Sequence, residues 1–242
     1  MPEEKSFDIS GGATLEMVRI DPGSFPMGSP ESEAGRWPDE GPVHEVTIGG
    51  GFYLARTPVT QFQWEAVMGT TPWTGRDFVR EGPDYPATYV SWEDAGHFLE
   101  KVGDGFRLPT EAEWEYACRA GTASAYSFGE SAGELEDYAW YRENAWEVGQ
   151  AYAHPVGGKR PSPAGLYDMH GNIWEWCQDA YGPYQPEAVT DPSGAEKGDA
   201  RILRGSGFAS EARALRSAFR YSYTSNRQFH CIGFRPARTL SG

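Results

Sequence analysis

The side chains able to do covalent or metal chemistry are scattered along this chain. Its three cysteines, Cys118, Cys177 and Cys231, include no Cys-x-x-Cys pair, so they make neither a zinc knuckle nor a disulfide framework. The five histidines (His44, His97, His154, His170 and His230) show no His-Glu-x-x-His or His-x-x-x-His-x-Glu spacing, and no imidazole pair falls on one helix face to grip zinc or iron. No Gly-x-Ser-x-Gly elbow offers an activated serine; Gly205-Ser206-Gly207-Phe208 reads as the turn at a strand end rather than a nucleotide loop. Contact chemistry is what concentrates. Between residues 208 and 231 stand Phe208, Phe219, Tyr221, Tyr223 and Phe229, set among Ala209, Ser210, Glu211, Ala214, Ser222, Thr224, Ser225, Gln228, His230 and Cys231, with neither a helical nor a strand period. Tyr and Phe bring large contact area with few rotatable bonds, and Ser and Thr bring adaptable hydrogen bonds, which together make the composition of a binding surface.

Such a surface needs a rigid frame, and the clearest frame elements are three capped helices. In TPVTQFQWEAVMG, Thr60 is the N-cap, Gln63 its capping-box partner and Gly69 the stop. Ser91 and Asp94 open the second helix, which carries an apolar stripe of Trp92, Ala95, Phe98, Leu99 and Val102 and ends at Gly103. Thr110 and Glu113 cap the third, with Glu111 complementing the positive end of its dipole. Residues 44 to 55 alternate and read as a hairpin joined through the Gly49-Gly50-Gly51 run. From 121 to 200 regular periodicity mostly vanishes into turn chemistry; strands return in ARILRGSGF and HCIGFRPAR, and the two termini are expected to meet in one sheet.

At 242 residues, 39% hydrophobic and with 30 Gly and 18 Pro, the chain reads as one loop-rich globular domain, residues 1–242. Its formal charge of −14 argues against a nucleic-acid backbone as the main ligand, since that needs a basic face, although a basic nucleic-acid patch is the rival reading of the C-terminal arginines. The charge is uneven. From residue 201 onward there are eight Arg, no Lys and one Glu, a charge of +7, which leaves −21 on the first 200 residues. The C-terminal segment is therefore expected to dock on the acidic remainder. The amino terminus lacks the apolar core of a signal peptide and no run approaches the roughly 18 apolar residues of a membrane span, so a cytoplasmic monomer without a membrane partner is the expectation.

The motifs FPMGSP (25–30), DEGPVHEVTI (39–48), PVTQFQW (58–64), VSWEDA (90–95), RLPTEAEWEYACR (107–119), GLYDMHGNIWEWC (165–177), RILRGSGF (201–208) and IGFR (232–235), taken in order, resemble the formylglycine-generating enzyme / sulfatase-modifying factor family. The resemblance implies an α+β fold: an irregular variant of the C-type lectin type, with two to three helices, small antiparallel sheets and much loop. The family's oxidase carries a pair of active-site Cys after its Arg-Gly-Gly-Ser-like turn, where they bind copper and attack the substrate thiol. Residues 204 to 220 of this chain contain no Cys, so neither the soft ligand nor the nucleophile is there, and no copper or iron is expected. The chain is most similar to the variable proteins of diversity-generating retroelements, whose C-terminal segment mixes an Arg, Gly, Ser and Ala scaffold with positions free to change. By that likeness residues 201 to 238 are the variable ligand-binding segment, and the fifteen residues named above from Phe208 to Cys231 face an unidentified protein or other macromolecule. An oxidase or other metal-dependent enzyme of the family, or an inert accessory domain, remain as alternatives. The family likeness also implies a structural Ca²⁺, held by the carboxylates of Asp168 and Glu175 and the carbonyls of Gly171 and Ile173; the rival reading pairs Asp168 and Glu175 with C-terminal arginines. Trp174 and Trp176 are expected in the core.

Overall fold

The computed structural model describes residues 3–103, 105–195 and 198–240. Along the chain run β1 (Glu4–Asp8), β2 (Thr14–Ile20), β3 (Gly23–Met27), β4 (His44–Ile48), β5 (Phe52–Ala55), α1 (Gln61–Met68), α2 (Trp92–Val102), β6 (Phe106–Arg107) and α3 (Glu111–Arg119). A one-turn helix α4 (Leu135–Tyr138) follows, then β7 (Trp174–Ala180), β8 (Val189–Thr190), β9 (Ala200–Arg204), β10 (Tyr221–Thr224), β11 (Ile232–Gly233) and β12 (Ala237–Thr239). The strands form three sheets, ordered β1-β2-β5-β12-β6, β10-β9-β7-β11 and β3-β4-β8. This is the irregular α+β layout that the motifs imply.

All three capping boxes form as expected. Thr60, Ser91 and Thr110 each accept from the backbone N–H three residues on, while Gln63, Asp94 and Glu113 reach back to the cap. Each pairing satisfies two donors that the first helical turn leaves orphaned. Gly69 closes α1 in the left-handed region at φ 69°, and Ala120 closes α3 there at φ 49°. Ala95, Phe98 and Leu99 of the α2 stripe are buried, with Trp92 and Val102 half-buried at its edges.

The termini share the five-stranded sheet, where β5 lies between β2 and β12, with Leu54 opposite both Val18 and Ala237. Residues 44 to 55 are two strands but no hairpin. β4 pairs with β3 and β8, whereas β5 belongs to the other sheet, and the glycine run carries the chain between them. Alternation gives each strand its two faces, but only tertiary packing chooses its neighbour. One apolar cluster, with Val18, Val46, Leu54, Trp114 and Ile202, fills the space under α3; a second, with Trp64, Phe98, Trp176, Leu203 and Phe234, lies under α1 and α2. The C-terminal segment threads both, so its backbone is anchored at many points.

Candidate binding surface and the frame beneath it

Four arginines from the basic C-terminal segment are buried on carboxylates of the acidic remainder. Arg235 donates two bonds to Glu175, both 2.6 Å, and also holds the carbonyls of Ala55 and Tyr167. Arg220 makes a two-pronged pair with Glu111 at 2.8 and 2.7 Å and lies over the Tyr184 ring. Arg216 reaches Glu33 and Glu40. Arg204 bonds Glu115 and turns its other prong on the carbonyls of Ala218 and Phe219. Burial alone would raise the Glu115 carboxyl, but Arg119 and Arg204 outweigh it and hold it below the ordinary carboxylate range. Planar guanidinium forks that satisfy both a carboxylate and several carbonyls fix loop backbone without regular structure. Glu111 stands in the first turn of α3, as expected, and is also the partner of Arg220; beside the Thr110 cap, Asp179 accepts from Glu111 N–H at 2.8 Å.

On this frame the fifteen expected surface residues divide. Glu211, Thr224 and Gln228 are exposed; Ala209, Ser210, Ala214, Tyr221, Ser222, Tyr223, Ser225 and Phe229 are half-buried; Phe208, Phe219, His230 and Cys231 are buried. The expectation of open rings therefore fails for Phe208 (0% exposed) and Phe219 (5%). Phe208 lies behind Trp146 and His230, and Phe219 lies between Trp37 and Trp174. A run of aromatics in a loop signals contact area, but not on which side of the ring the contact lies.

The rings that do face solvent include three from outside the C-terminal segment: Phe78 (45% exposed), Trp37 (40%) and Trp146 (37%). Phe78 packs on Trp146 and His230 at centroid distances of 5.3 and 5.1 Å, and Trp37 meets Phe219 edge-on at 5.4 Å. Trp174, expected in the core with Trp176, is half-buried and lies 5.5 Å from Tyr221, which meets Tyr223 edge-on. Contacts thus link Trp37, Phe219, Trp174, Tyr221 and Tyr223, with Phe78, Trp146, His230 and Phe229 forming a second group. The backbone ties the two to one place: Tyr89 N–H donates to Phe229 O, Trp92 N–H to Ser225 O and Trp174 N–H to Cys231 O. The available signal in the sequence was that Trp37 and Trp146 sit among charged residues with no apolar period, as surface rings do. Phe78 adds strain, holding φ at 58°, a region that bulky side chains rarely enter and that clusters at functional sites.

The thiols are sealed away from this surface chemistry. All three are unbridged and buried, and burial pushes Cys118 and Cys231 up to about 12 and Cys177 well above the usual thiol value. Each is a neutral thiol at physiological pH, without the thiolate that attack or soft-metal binding needs. Among the described residues no group of three or more His, Cys, Asp or Glu side chains is arranged to hold a metal ion, and no helix is long and apolar enough to cross a membrane.

Comparison with known proteins matches the sulfatase-modifying factor enzyme 1-like domain over residues 8–240. The chain belongs to this family. A formylglycine-generating enzyme of Streptomyces coelicolor is 30% identical, the match covering 93% of this chain and 90% of that one. A protein described as serine/threonine-protein kinase pkn1 of Chlamydia pneumoniae is 33% identical over 93% of this chain, but the match covers only 38% of the kinase. Among solved structures, Treponema denticola variable protein 1 superposes with a TM-score of 0.85 at 26% identity, covering 99% and 100% of the two chains. PvdO from Pseudomonas aeruginosa does so at 0.82 and 30%, covering 99% of each.

The family likeness implies a calcium ion at Asp168, Gly171, Ile173 and Glu175. Calcium takes six to eight oxygens, with carboxylates turned toward the ion. Both Glu175 oxygens are engaged by Arg235, and one also accepts from Trp114 Nε1 at 2.7 Å. Asp168 accepts from Gly157 N–H at 2.8 Å, and burial pushes its carboxyl up to about 6. Ile173 is fully buried in apolar surroundings, and a side chain at Gly171 would strike the Trp140 carbonyl. With a guanidinium already on Glu175, Asp168, Gly171, Ile173 and Glu175 as arranged do not fit a calcium ion; for Glu175 the arginine pairing is what is observed.

Proposed function

We propose that this chain is a non-catalytic ligand-binding member of its family. It would present to a protein or other macromolecule the aromatic and small polar surface formed by Tyr221, Ser222, Tyr223, Thr224, Ser225, Gln228 and Phe229 together with Trp37, Phe78 and Trp146. The observation that carries this reading is the separation of roles in the C-terminal segment: Arg204, Arg216, Arg220 and Arg235 are consumed by buried ion pairs, while most residues between them meet solvent or the exposed rings. Stability then resides in the frame, and contact residues can be exchanged at small cost, which is what a variable segment requires. The end-to-end superposition on a variable protein supports the same conclusion.

Two experiments test it. Sequencing the gene's surroundings should find a reverse transcriptase and a near-copy of the 3′ coding end that differs at adenines; a locus without them contradicts diversification. The 30% identity to a formylglycine-generating enzyme favours oxidation of a peptide cysteine as the second reading. Incubation with Cu(I) and a cysteine-containing sulfatase peptide should give no aldehyde product, because no thiolate is on hand; turnover would establish the enzyme and remove the binding reading.

A further inference from the structure

The surface proposed above holds cations that have no acid of their own. The chain has 35 Asp and Glu against 21 Lys and Arg, and its deeply buried arginines are all matched by carboxylates. Arg76, Arg201 and Arg227 form no ion pair with any described carboxylate. Each lies on a ring instead: Arg76 is 5.4 Å from the Tyr89 centroid, Arg201 4.2 Å from Trp92, and Arg227 5.1 and 4.9 Å from Tyr223 and Phe229. These rings belong to one neighbourhood, since Tyr89 and Trp92 bond the backbone of Phe229 and Ser225, and Arg201 stands opposite Tyr223 across the β9–β10 pair.

A guanidinium held near a ring by cation–π attraction keeps N–H donors available for capture of a carboxylate. Arg76 and Arg227 are exposed, whereas Arg201 is half-buried, with Nη1 on the Gln178 carbonyl at 3.3 Å and its Nε closed off from solvent. Nearby acids do not supply one. Asp94 accepts from Ser91 and Gln228, Glu211 pairs with Arg142 and Arg213, and the exposed Asp77 and Asp199 make no ion pair with the three arginines. The chain's net negative charge opposes an acidic partner at long range, but that field is screened beyond about 8 Å at physiological salt, whereas pairs made in contact are not.

We infer that the occupant of this surface is an acidic protein segment that sets carboxylates against Arg76 and Arg227 and an apolar side chain against Phe78 and Trp146. The inference rests on reading the surface as a binding face. Selection of a random peptide library displayed on phage against the intact chain tests it. Selected peptides are expected to combine Asp or Glu with aromatic or Leu residues. The best of them should lose at least about ten-fold in affinity when Arg76→Glu and Arg227→Glu are combined, as removal of close interfacial charge pairs does. An Arg19→Glu control, remote from these rings, should change affinity less than about three-fold, as surface charges outside a contact do. Selection against the double variant should enrich Lys and Arg. Peptides that lose binding in Tyr223→Ser and Phe229→Ala yet show no acidic bias would overturn this inference and leave the surface standing. Peptides indifferent to all of these substitutions would overturn both.

Discussion

Arg235 and Glu175 illustrate how single residues hold the frame. Both are fully buried, and each of the two bonds joining them is 2.6 Å. A buried pair contributes little compared with an apolar substitute, but removing one partner strands a charge. Glu175→Gln is therefore expected to cost about 3–5 kcal/mol in urea unfolding; a loss below about 1 kcal/mol would mean that Arg235 has solvent or another acid to turn to. Asp179 gives a pH-dependent counterpart. Burial first, and then the charge of Glu111, raises its carboxyl to about 7 from 3.8, so between those values the folded chain holds a proton that the unfolded chain has released. Its contribution is complete below pH 3.8 and is lost as pH rises through 7. Asp179→Asn, which keeps an oxygen to cap α3, should thus gain stability relative to the parent as pH rises from 4 to 8, by up to about 4 kcal/mol. Parallel pH profiles of variant and parent would contradict that assignment.

At the scale of elements, β10 and the residue just before it carry two classes of side chain. Tyr223 is half-buried beneath Arg227, whereas Arg220, three residues earlier, is 2% exposed and bonded to Glu111 and to the carbonyls of Asp39 and Gly182. Tyr223→Ala is expected to lower stability by about 1 kcal/mol, and Arg220→Ala by about 3–5 kcal/mol through the stranded Glu111. Chemical denaturation of both variants checks the ratio; equal costs would place Tyr223 within the core. The helices framing this strand were legible because capping boxes are local: Thr60, Ser91 and Thr110 announce three starts without reference to the rest of the chain. Docking of the basic C-terminal segment was legible from charge alone. Strand pairing was not, since the partners of His44–Ile48 are decided by Phe25 and Val189, far away in sequence. The inward turn of Phe208 and Phe219, and the exposed ring of Phe78, were hidden for the same reason. Ring orientation depends on contacts with Trp37, Trp174 and His230 that no local pattern encodes.

For the molecule as a whole, buried ion pairs join the acidic first 200 residues to the basic C-terminal segment, and Arg235 occupies the Glu175 carboxylate that a calcium ion would need. Melting temperatures in 5 mM CaCl₂ and in EDTA should agree within about 1 °C, because an ion that binds neither state leaves the equilibrium unmoved; a rise of several degrees with calcium would show that Asp168 and Glu175 can rearrange around it. The central claim is that a rigid frame carries an exchangeable surface. It is tested most directly by randomising Tyr221, Ser222, Tyr223, Thr224, Ser225 and Gln228 together and sorting the displayed library by resistance to protease. Most members should survive at the protease concentration the parent tolerates, with different residues at all six positions. A surviving pool that returns mainly to Tyr221 and Tyr223 would contradict the account, since the rings would then hold the fold rather than ride on it.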